Sequence, residues 1–250
     1  MTIGWGLVAA VLLLVALAVT ASALGRLRLE RQQIWAAVRA VAQLALVSGL
    51  IAWAIGQMWS TLLLVAVMFT IATITTVRRV GAPSCWPWTT LAMAAGVVPV
   101  LTVVFVTGAS PFTPVAVLAL AGIVVGNMMT GHTLAGRRCF GELRGNVPSY
   151  EAGLSIGLER PQAIGLVIED VVPEALIPNL DQVRTVGLVT LPGAFIGVLL
   201  GGGSPAQAGA AQLLVLLGIM AGQAITVSVA AAFIRAGLLL PTDLAAALRP

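Results

Sequence analysis

The sequence predicts an all-α, polytopic membrane protein with about seven transmembrane helices. Hydrophobic residues make up 59% of the 250 residues and charged residues 9%, and the mean hydropathy of +1.05 is too high for a soluble domain of this length. Long uncharged apolar runs alternate with short segments that carry the arginines. Each run approaches the ~20 residues of helix that cross a hydrocarbon core. The runs are residues 3–24, 40–59, 61–77, 88–107, 113–134, 185–200 and 210–234.

The positions of the arginines predict how the chain is oriented in the membrane. Segments rich in arginine and lysine stay on the cytoplasmic side. The connections after the second, fourth and sixth runs hold no charge, whereas arginines follow the first, third, fifth and seventh runs. We therefore expect the N-terminus outside and the C-terminus in the cytoplasm, with the chain in the inner (plasma) membrane. The arginines that follow the runs are Arg26, Arg28, Arg31, Arg39, Arg78, Arg79, Arg137, Arg138 and Arg235.

Charge and cysteine content narrow the possible functions. The 13 basic residues exceed the 9 acidic ones, for a net charge of +4, but all of them are arginines dispersed among the loops. This distribution is typical of membrane anchoring and not of a nucleic-acid surface. Cys85 and Cys139 fall in segments predicted to be cytoplasmic, where disulfides are disfavoured, so we expect free thiols. Residues 1–250 are expected to form a single transmembrane domain.

A region outside the bilayer is predicted at about residues 137–183, between the fifth and sixth runs. Its first part, residues 137–150, is rich in glycine and charge and predicts a loop. An amphipathic helix should follow, with Pro161 in its first turn, an interruption at Pro173 and an end at Pro178. Such a segment either rests on lipid headgroups or docks into another protein. Its apolar positions, spaced by three and four, are Ile164, Val167, Ile168, Val171 and Ala175.

Two residues in the middle of the sixth run favour a bend. Pro192 removes a backbone hydrogen bond and Gly193 permits close packing, so this helix is expected to be kinked or discontinuous. A simple packing kink and a hinge for transport both fit this pattern.

Polar and sulfur-containing side chains cluster at the inner end of the fifth run, where Asn127 precedes Met128, Met129 and His132. The two methionines lie four and three residues before the histidine, so one helical turn brings them beside it. Thioether and imidazole donors bind transition metals. Methionine is also a common packing residue, and a lone histidine near a helix end often lies at the membrane interface. A metal contact and plain packing therefore both remain open.

Several short motifs occur together in residues 175–212. They are Ala175-Leu176-Ile177-Pro178, Asp181, Arg184, Thr185-Val186-Gly187-Leu188-Val189, Leu191-Pro192-Gly193, Gly197 and Pro205. This combination resembles the signature of the FetB-like ABC-transporter permease family, membrane subunits associated with the export of iron or other metals. Upstream, Glu151-Ala152-Gly153 with Gly157 resembles the loop by which ABC-transporter permeases engage their ATPase.

The resemblance implies a homodimeric permease that works with a separate ATP-binding subunit and exports iron, another metal or a nucleotide sugar. ATP and Mg would be bound by that partner, since a chain without lysine cannot contain a Gly-x-x-x-x-Gly-Lys phosphate loop. No cofactor is therefore expected in this chain, and it should be no enzyme. The resemblance implies coupling to the ATPase by Glu151, Ala152, Gly153, Gly157 and Pro178. The helix hinge and pathway are expected at Thr185, Gly187, Pro192, Gly193 and Asn127.

Two other functional classes fit the apolar chain less well. An ion-coupled secondary transporter of a small solute usually carries an intramembrane carboxylate or base, although backbone and hydroxyl oxygens alone can hold sodium. An intramembrane enzyme needs a nucleophile with a base, paired aspartates or a metal cluster, and a single histidine supplies too little. The secondary transporter is kept as the alternative function.

Overall fold

The computed structural model describes residues 4–248, and this part of the chain is built from helices and their connections. It forms two compact units, which divide between residues 57 and 58. The first unit contains α1 and α2, and the second contains α3 to α11. The helices are α1 Trp5–Leu24, α2 Glu30–Ala54, α3 Met58–Val80, α4 Trp86–Val106, α5 Pro114–Gly145, α6 Val147–Ser155, α7 Arg160–Ile168, α8 Ile177–Thr185, α9 Gly193–Leu200, α10 Pro205–Arg235 and α11 Thr242–Ala247.

The first unit is a pair of apolar helices joined by a tight turn. Arg26 and Arg28 adopt φ angles of 53° and 57° in that turn, and Gln33 of α2 donates a hydrogen bond of 2.7 Å to the Ser22 hydroxyl of α1. Both helices expose most of their side chains within this unit. Because their exposed residues are mainly apolar, hydrocarbon is the environment that suits them.

The long helices α3, α4 and α5 form an up-and-down arrangement in the second unit. A short 3-10 turn at Pro83–Cys85 sends the chain back from α3 into α4. A Cβ atom added to Gly122 would lie 3.2 Å from Met68, and one added to Gly136 would lie 2.8 Å from Val80. Contacts that advance in the same direction along both helices show that α3 and α5 are parallel.

Helix α10 completes this four-helix bundle. A Cβ atom at Gly218 would lie 3.2 Å from Val100, and one at Gly222 would lie 3.2 Å from the Gly96 carbonyl oxygen. Positions advancing along α10 therefore meet positions receding along α4, so these helices are antiparallel and α10 is parallel to α5. We call the end where α3, α5 and α10 finish the basic end, and the opposite end the neutral end.

Six helices in the described part of the chain are long and apolar enough to cross a membrane, namely α1, α2, α3, α4, α5 and α10. They correspond to six of the seven predicted spans. The sixth predicted span, residues 185–200, is not a continuous helix. Its only regular helix is α9, whose 8 residues reach about 12 Å, which is too short to cross a hydrocarbon core.

The chain nevertheless has to travel the length of the bundle between α5 and α10. Helix α5 finishes at the basic end, and α10 begins at the neutral end. The return is made by α8, an irregular segment at residues 186–192, and α9, which packs against α10. The sixth crossing is thus a broken one, and the predicted discontinuity at Pro192-Gly193 coincides with the start of α9.

The region predicted outside the bilayer differs from expectation in two places. Residues 137–145 continue α5 instead of forming a loop, because Cys139, Phe140 and Leu143 extend its buried face into the core of the basic end. Pro178 stands in the first turn of α8, where its missing N–H has no helical partner to lose, so it begins a helix and does not end one.

Other features of this region agree with the sequence. Pro161 lies in the first turn of α7, and Pro173 opens a separate 3-10 turn that interrupts the helical pattern. Both cysteines are free and buried. Helices α6, α7 and α11 pack with the ends of α5 and α10 around one apolar core, which includes Tyr150, Ile164, Ile168, Ile234, Leu239, Leu244 and Leu248.

Candidate functional site

Three helices approach one another closely in the middle of the bundle. A Cβ atom on Gly96 of α4 would collide with the Thr226 hydroxyl and would lie 3.0 Å from the Met128 sulfur. A Cβ atom on Gly222 of α10 would lie 2.9 Å from that same sulfur. The glycines let the backbones of α4 and α10 meet, and the thioether of α5 fills the space beside them.

Next to this contact lie polar groups that have no partner in the described structure. They are both ring nitrogens of His132, the hydroxyls of Thr89 and Thr226, and the side-chain oxygen of Gln223. All four side chains are buried, and His132 is 0% exposed. We call these four residues the buried polar layer. An unpaired buried polar atom costs about 1–3 kcal/mol, so a cluster of them marks a place where a ligand or water can bind.

The alignment of the helices places His132 and Gln223 of this layer at one level. Gly136 meets Val80, so one helical turn earlier His132 stands level with Thr76 of α3. Gly131, adjacent to the histidine, packs against the Gln223 side chain, where an added Cβ would lie 3.2 Å from Cγ. The layer therefore joins α5 to α10 at the depth of α3 residue Thr76.

The structure divides the predicted metal candidates. Met128 and His132 are fully buried in the bundle, whereas Met129 is only half-buried at the edge of the core. A second fully buried thioether, Met93 of α4, belongs to the same core as Met128, and its sulfur lies 3.7 Å from the Thr76 hydroxyl. Sequence spacing missed Met93 because it is on another helix. In residues 4–248 no three His, Cys, Asp or Glu side chains are grouped as a metal site.

Asn127 is placed in the bundle and not at the broken crossing. Its side-chain nitrogen donates to the Ile123 carbonyl at 2.9 Å, one turn back along α5. Its own carbonyl oxygen accepts a 2.9 Å hydrogen bond from Gln223 Nε2 of α10. Asn127 thus helps tie α5 to α10, and its predicted pathway role stays a prediction.

The other predicted hinge residues lie together at the broken crossing. Thr185 ends α8 and donates its hydroxyl to the Asp181 carbonyl at 2.9 Å. Gly187 has φ of 81°, a region that favours glycine, and its N–H donates to the Thr190 carbonyl at 2.9 Å. Pro192 is extended at the N-cap of α9, and Gly193 is the first helical residue. The local backbone therefore turns between two helices that do not merge.

The predicted coupling residues lie mostly on a hairpin formed by α6 and α7. Glu151 and Ala152 are exposed on α6, and Gly157, with φ of 92°, forms the turn. Gly153 is different, because it is buried where α6 meets α7 and an added Cβ would lie 3.2 Å from Ala163 Cβ. Its role is packing within the hairpin.

One exposed residue of the hairpin was not predicted. Ile156, at the tip between α6 and α7, is 78% exposed, although it lies beyond the basic end of the bundle. Pro178, the remaining predicted coupling residue, lies in α8 outside this hairpin. The exposed apolar tip is visible only once the turn at Gly157 is known.

Two arginine contacts connect the hairpin to the bundle. The guanidinium of Arg160 on α7 lies 3.1 Å from the Cβ position of Gly237, just after α10. In return, Arg235 at the end of α10 packs against Gly165 of α7, with its Cδ 3.6 Å from the Cβ position. An arginine of α7 thus covers Gly237, and an arginine of α10 covers Gly165. The hairpin therefore packs directly against the end of α10.

A groove runs between α7 and the end of α10. Its volume is about 540 Å³, and its lining combines apolar side chains with one acidic and one basic side chain. The lining residues are Leu158, Pro161, Gln162, Gly165, Leu166, Glu169 and Arg235. A second groove of about 480 Å³, between α4 and α10, is lined by apolar residues such as Val103 and Leu217 and suits lipid chains better than a charged solute.

The chain is similar in sequence to known membrane proteins. No solved structure matches the chain. "Probable iron export permease protein FetB" of Escherichia coli (strain K12) is 31% identical over 82% of this chain and 80% of its own length. "UPF0014 membrane protein STAR2" of Oryza sativa subsp. japonica is 33% identical over 81% of this chain and 72% of its length.

A third relative and a family model agree with these two. "Protein ALUMINUM SENSITIVE 3" of Arabidopsis thaliana is 29% identical over 90% of this chain and 84% of its length. The model of the Uncharacterised protein family (UPF0014) matches residues 5–238, which include all six long helices and the broken crossing. The resemblance seen in the sequence motifs is confirmed, and the chain is a multi-pass membrane protein that belongs to the family UPF0014.

Proposed function

We propose that this protein is the membrane-spanning permease subunit of an ABC transporter in the inner membrane, and that it exports iron or another metal. The relative named as a probable iron export permease aligns over most of both chains and supports this assignment. A separate subunit would bind ATP and Mg, because this chain has no lysine for a phosphate loop. The chain itself would be a transport subunit and no enzyme.

The observation that carries the proposal is the exposed tip of the α6–α7 hairpin. Ile156 presents an apolar side chain that is 78% exposed, beside the exposed Glu151 and Ala152. The hairpin lies beyond the basic end, and segments rich in basic residues favour the cytoplasmic side. An apolar side chain exposed there favours insertion into a groove of a cytoplasmic partner, and the adjacent carboxylate favours a basic rim around that groove.

The packing of the hairpin supports a route by which ATP hydrolysis would act on the membrane helices. Arg160 and Arg235 hold α7 against α10, and α10 in turn packs on α4, α5 and α9. Movement of the hairpin would therefore pass first to α10 and from there to the broken crossing.

The functional unit would be a homodimer of permeases with two ATP-binding subunits. The cargo would be iron or another metal, with a nucleotide sugar as the other candidate. The competing function, an ion-coupled secondary transporter, would need no ATPase. It would not explain why the apolar side chain of Ile156 is exposed. Association with an ATPase therefore distinguishes the two functions.

The test is co-purification of the tagged chain with its candidate ATPase, followed by ATP hydrolysis in proteoliposomes supplied separately with Fe(II), other divalent metals and nucleotide sugars. We expect the native chain to retain the ATPase and one cargo to stimulate hydrolysis. Ile156→Ser should weaken association at least ten-fold. Leu238→Ser, at a 42% exposed apolar residue just after α10, is the matched control and should behave like the native chain.

Each outcome decides between the candidate functions. Association that survives Ile156→Ser unchanged would remove the docking role of the hairpin. If the native chain recruits no ATPase and a pH or sodium gradient drives transport, the protein is a secondary transporter and the ABC assignment is overturned.

A further inference from the structure

Two thioether side chains, on α4 and α5, lie near His132 of the buried polar layer. Met93 of α4 and Met128 of α5 supply thioether sulfurs, and His132 supplies an imidazole. All three side chains are 0% exposed. Their functions are not accounted for by the hairpin or by the broken crossing, which lie elsewhere in the second unit.

The helix alignment places the three donors within about one helical turn of one another along the bundle. Met128 precedes His132 by one turn on the same face of α5, and its sulfur reaches Gly96 of α4. Met93 precedes Gly96 by one turn, and antiparallel packing carries that turn towards His132. The Met93 sulfur also lies 3.7 Å from the hydroxyl of Thr76, which stands level with His132.

The imidazole of His132 has hydrogen-bonding and metal-binding capacity that its protein neighbours do not use. Both ring nitrogens of His132 are buried without a hydrogen-bond partner in the described structure. A neutral imidazole offers one donor and one acceptor, and leaving them unpaired in an apolar core is costly. A metal ion bound to one nitrogen would use the acceptor, as imidazole does in metal sites generally.

The donor set also indicates which ion fits. Thioether and imidazole ligands are soft or intermediate and select ions such as Cu(I). None of the three carries a negative charge, and among residues 4–248 no three His, Cys, Asp or Glu side chains are grouped as a metal site. A divalent ion would bring two uncompensated charges into the interior, whereas a singly charged ion brings one. Burying the singly charged ion therefore has a much smaller desolvation cost.

We propose that Met93, Met128 and His132 form a binding site for one soft, singly charged transition-metal ion of the Cu(I) class inside the helix bundle. The ion would link α4 to α5 at the level of Thr76. The site stands independently of the proposed export function, since it requires neither an ATPase nor a path across the membrane.

The experiment uses Ag(I) as a redox-inert probe on the detergent-purified full chain. Cys85→Ala and Cys139→Ala are introduced first, because thiols would bind Ag(I) by themselves; both cysteines belong to the core of the basic end, away from the site. We expect one Ag(I) per chain, sulfur and nitrogen neighbours in the X-ray absorption spectrum, and a rise in Tm by several degrees on Ag(I) addition.

Leucine replacements provide matched variants of similar volume. Met93→Leu and Met128→Leu should each lower Ag(I) affinity at least ten-fold and abolish the rise in Tm, while His132→Leu should also remove the nitrogen neighbour from the spectrum. Met129→Leu is the control, since that methionine neighbours Met128 in sequence but is only half-buried. It should bind Ag(I) like the parent.

Two results would contradict the proposed Ag(I)-binding site. It does not exist if the parent binds no Ag(I), or if Met128→Leu and Met129→Leu retain Ag(I) equally, which would show nonspecific thioether binding. Should the cysteine-free chain fold poorly, the native chain serves instead: the proposal then requires one Ag(I) fewer in Met128→Leu than in Met129→Leu, and equal numbers contradict it.

Discussion

At the residue scale, Gly96 decides how closely α4 and α10 approach. Its missing side chain leaves room for the Thr226 hydroxyl and for the sulfur of Met128. In a membrane, helices associate mainly through such close packing, because lipid is as apolar as the helix surface. Adding a single methyl group at this position would therefore push α4 and α10 apart in the core of the bundle.

Gly96→Ala should destabilise the protein by about 1–3 kcal/mol, since the added methyl group meets backbone and side-chain atoms that cannot move easily. Unfolding in a denaturing detergent, followed by helix content, measures the effect. Gly126→Ala on α5 is the control, because a Cβ there meets no atom of this chain within 4 Å. Equal stability of the two variants would contradict the packing role of Gly96.

Gly157 controls the hairpin in a different way. A Cβ at this position has open space around it, but its φ of 92° is strained for any residue with a side chain. Gly157→Ala should therefore cost about 1–3 kcal/mol locally by shifting the tip, and it should weaken ATPase association while membrane insertion is unaffected. Co-purification and membrane yield test this. Undiminished association would remove Gly157 from the coupling residues.

At the element scale, the broken crossing differs from every long helix in the chain. A Cβ added to Gly193 would meet nothing within 4 Å beyond its own neighbours in the chain and helix, and Leu188, in the irregular segment before α9, is 89% exposed. The irregular segment is thus held by its own backbone hydrogen bonds more than by neighbours. Such weakly packed segments are where transport proteins place their moving parts.

Replacing both Pro192→Ala and Gly193→Leu should favour a continuous helix through the break, because alanine restores a backbone donor and leucine is a strong helix former. Export in proteoliposomes should then fall several-fold at unchanged protein level. Gly197→Leu, in the same helix α9 and equally free of contacts within the chain, is the control. Export untouched by the double substitution would rule out the hinge.

The C-terminal helix α11 is tied to α5 by an ion pair. Arg144 donates to both carboxylate oxygens of Asp243, at 2.7 and 3.2 Å, and this hydrogen bonding holds the pKa of that carboxyl below its usual value. Tyr150 adds a hydrogen bond of 3.1 Å to the Leu248 carbonyl. The tail is thereby fastened beside the hairpin.

Asp243→Asn should lower the Tm slightly at neutral pH, because the pair is exposed and screened by salt. A carboxyl with a lowered pKa in the folded state stabilises the fold above its unfolded pKa of about 3.9, and loses that effect as pH falls through the folded value. The Tm difference between native chain and variant should therefore be present at pH 7 and vanish in strong acid. A difference independent of pH would contradict the ion pair as its cause.

At the scale of the whole molecule, the directions of the helices determine the number of crossings. Since α5 and α10 are parallel, an odd number of returns must connect them, and only α8 with α9 supplies one. In residues 4–248, six long apolar helices and one broken segment are therefore consistent with the seven spans expected from hydropathy.

This topology predicts opposite labelling of two exposed sites. Ala206→Cys at the neutral end should react with a membrane-impermeant maleimide in intact cells, whereas Ser149→Cys at the basic end should react only after the membrane is opened. The native cysteines are buried and serve as an internal background. Labelling of both sites from outside would show that the sixth crossing does not traverse the membrane.

Much of the fold could be predicted from the sequence, because helices that cross a hydrocarbon core follow a simple pattern of apolar residues and flanking charges. Apolar length and arginine position are local properties, so they predicted the all-α membrane fold, the long helices and the break at Pro192-Gly193. The loop predicted at residues 137–145 was wrong, since local glycine and charge concealed the buried stripe of Cys139, Phe140 and Leu143.

The sequence by itself determined the class of protein, the membrane spans and the family motifs, because each depends on residues near one another in the chain. Only the tertiary structure decided that Met93 packs in one core with Met128, that Gly153 packs inside the hairpin while Ile156 is exposed, and that arginines of α7 and α10 pack across the contact between them. These features depend on which helices meet and at which level, and side-chain packing between helices distant in sequence sets both.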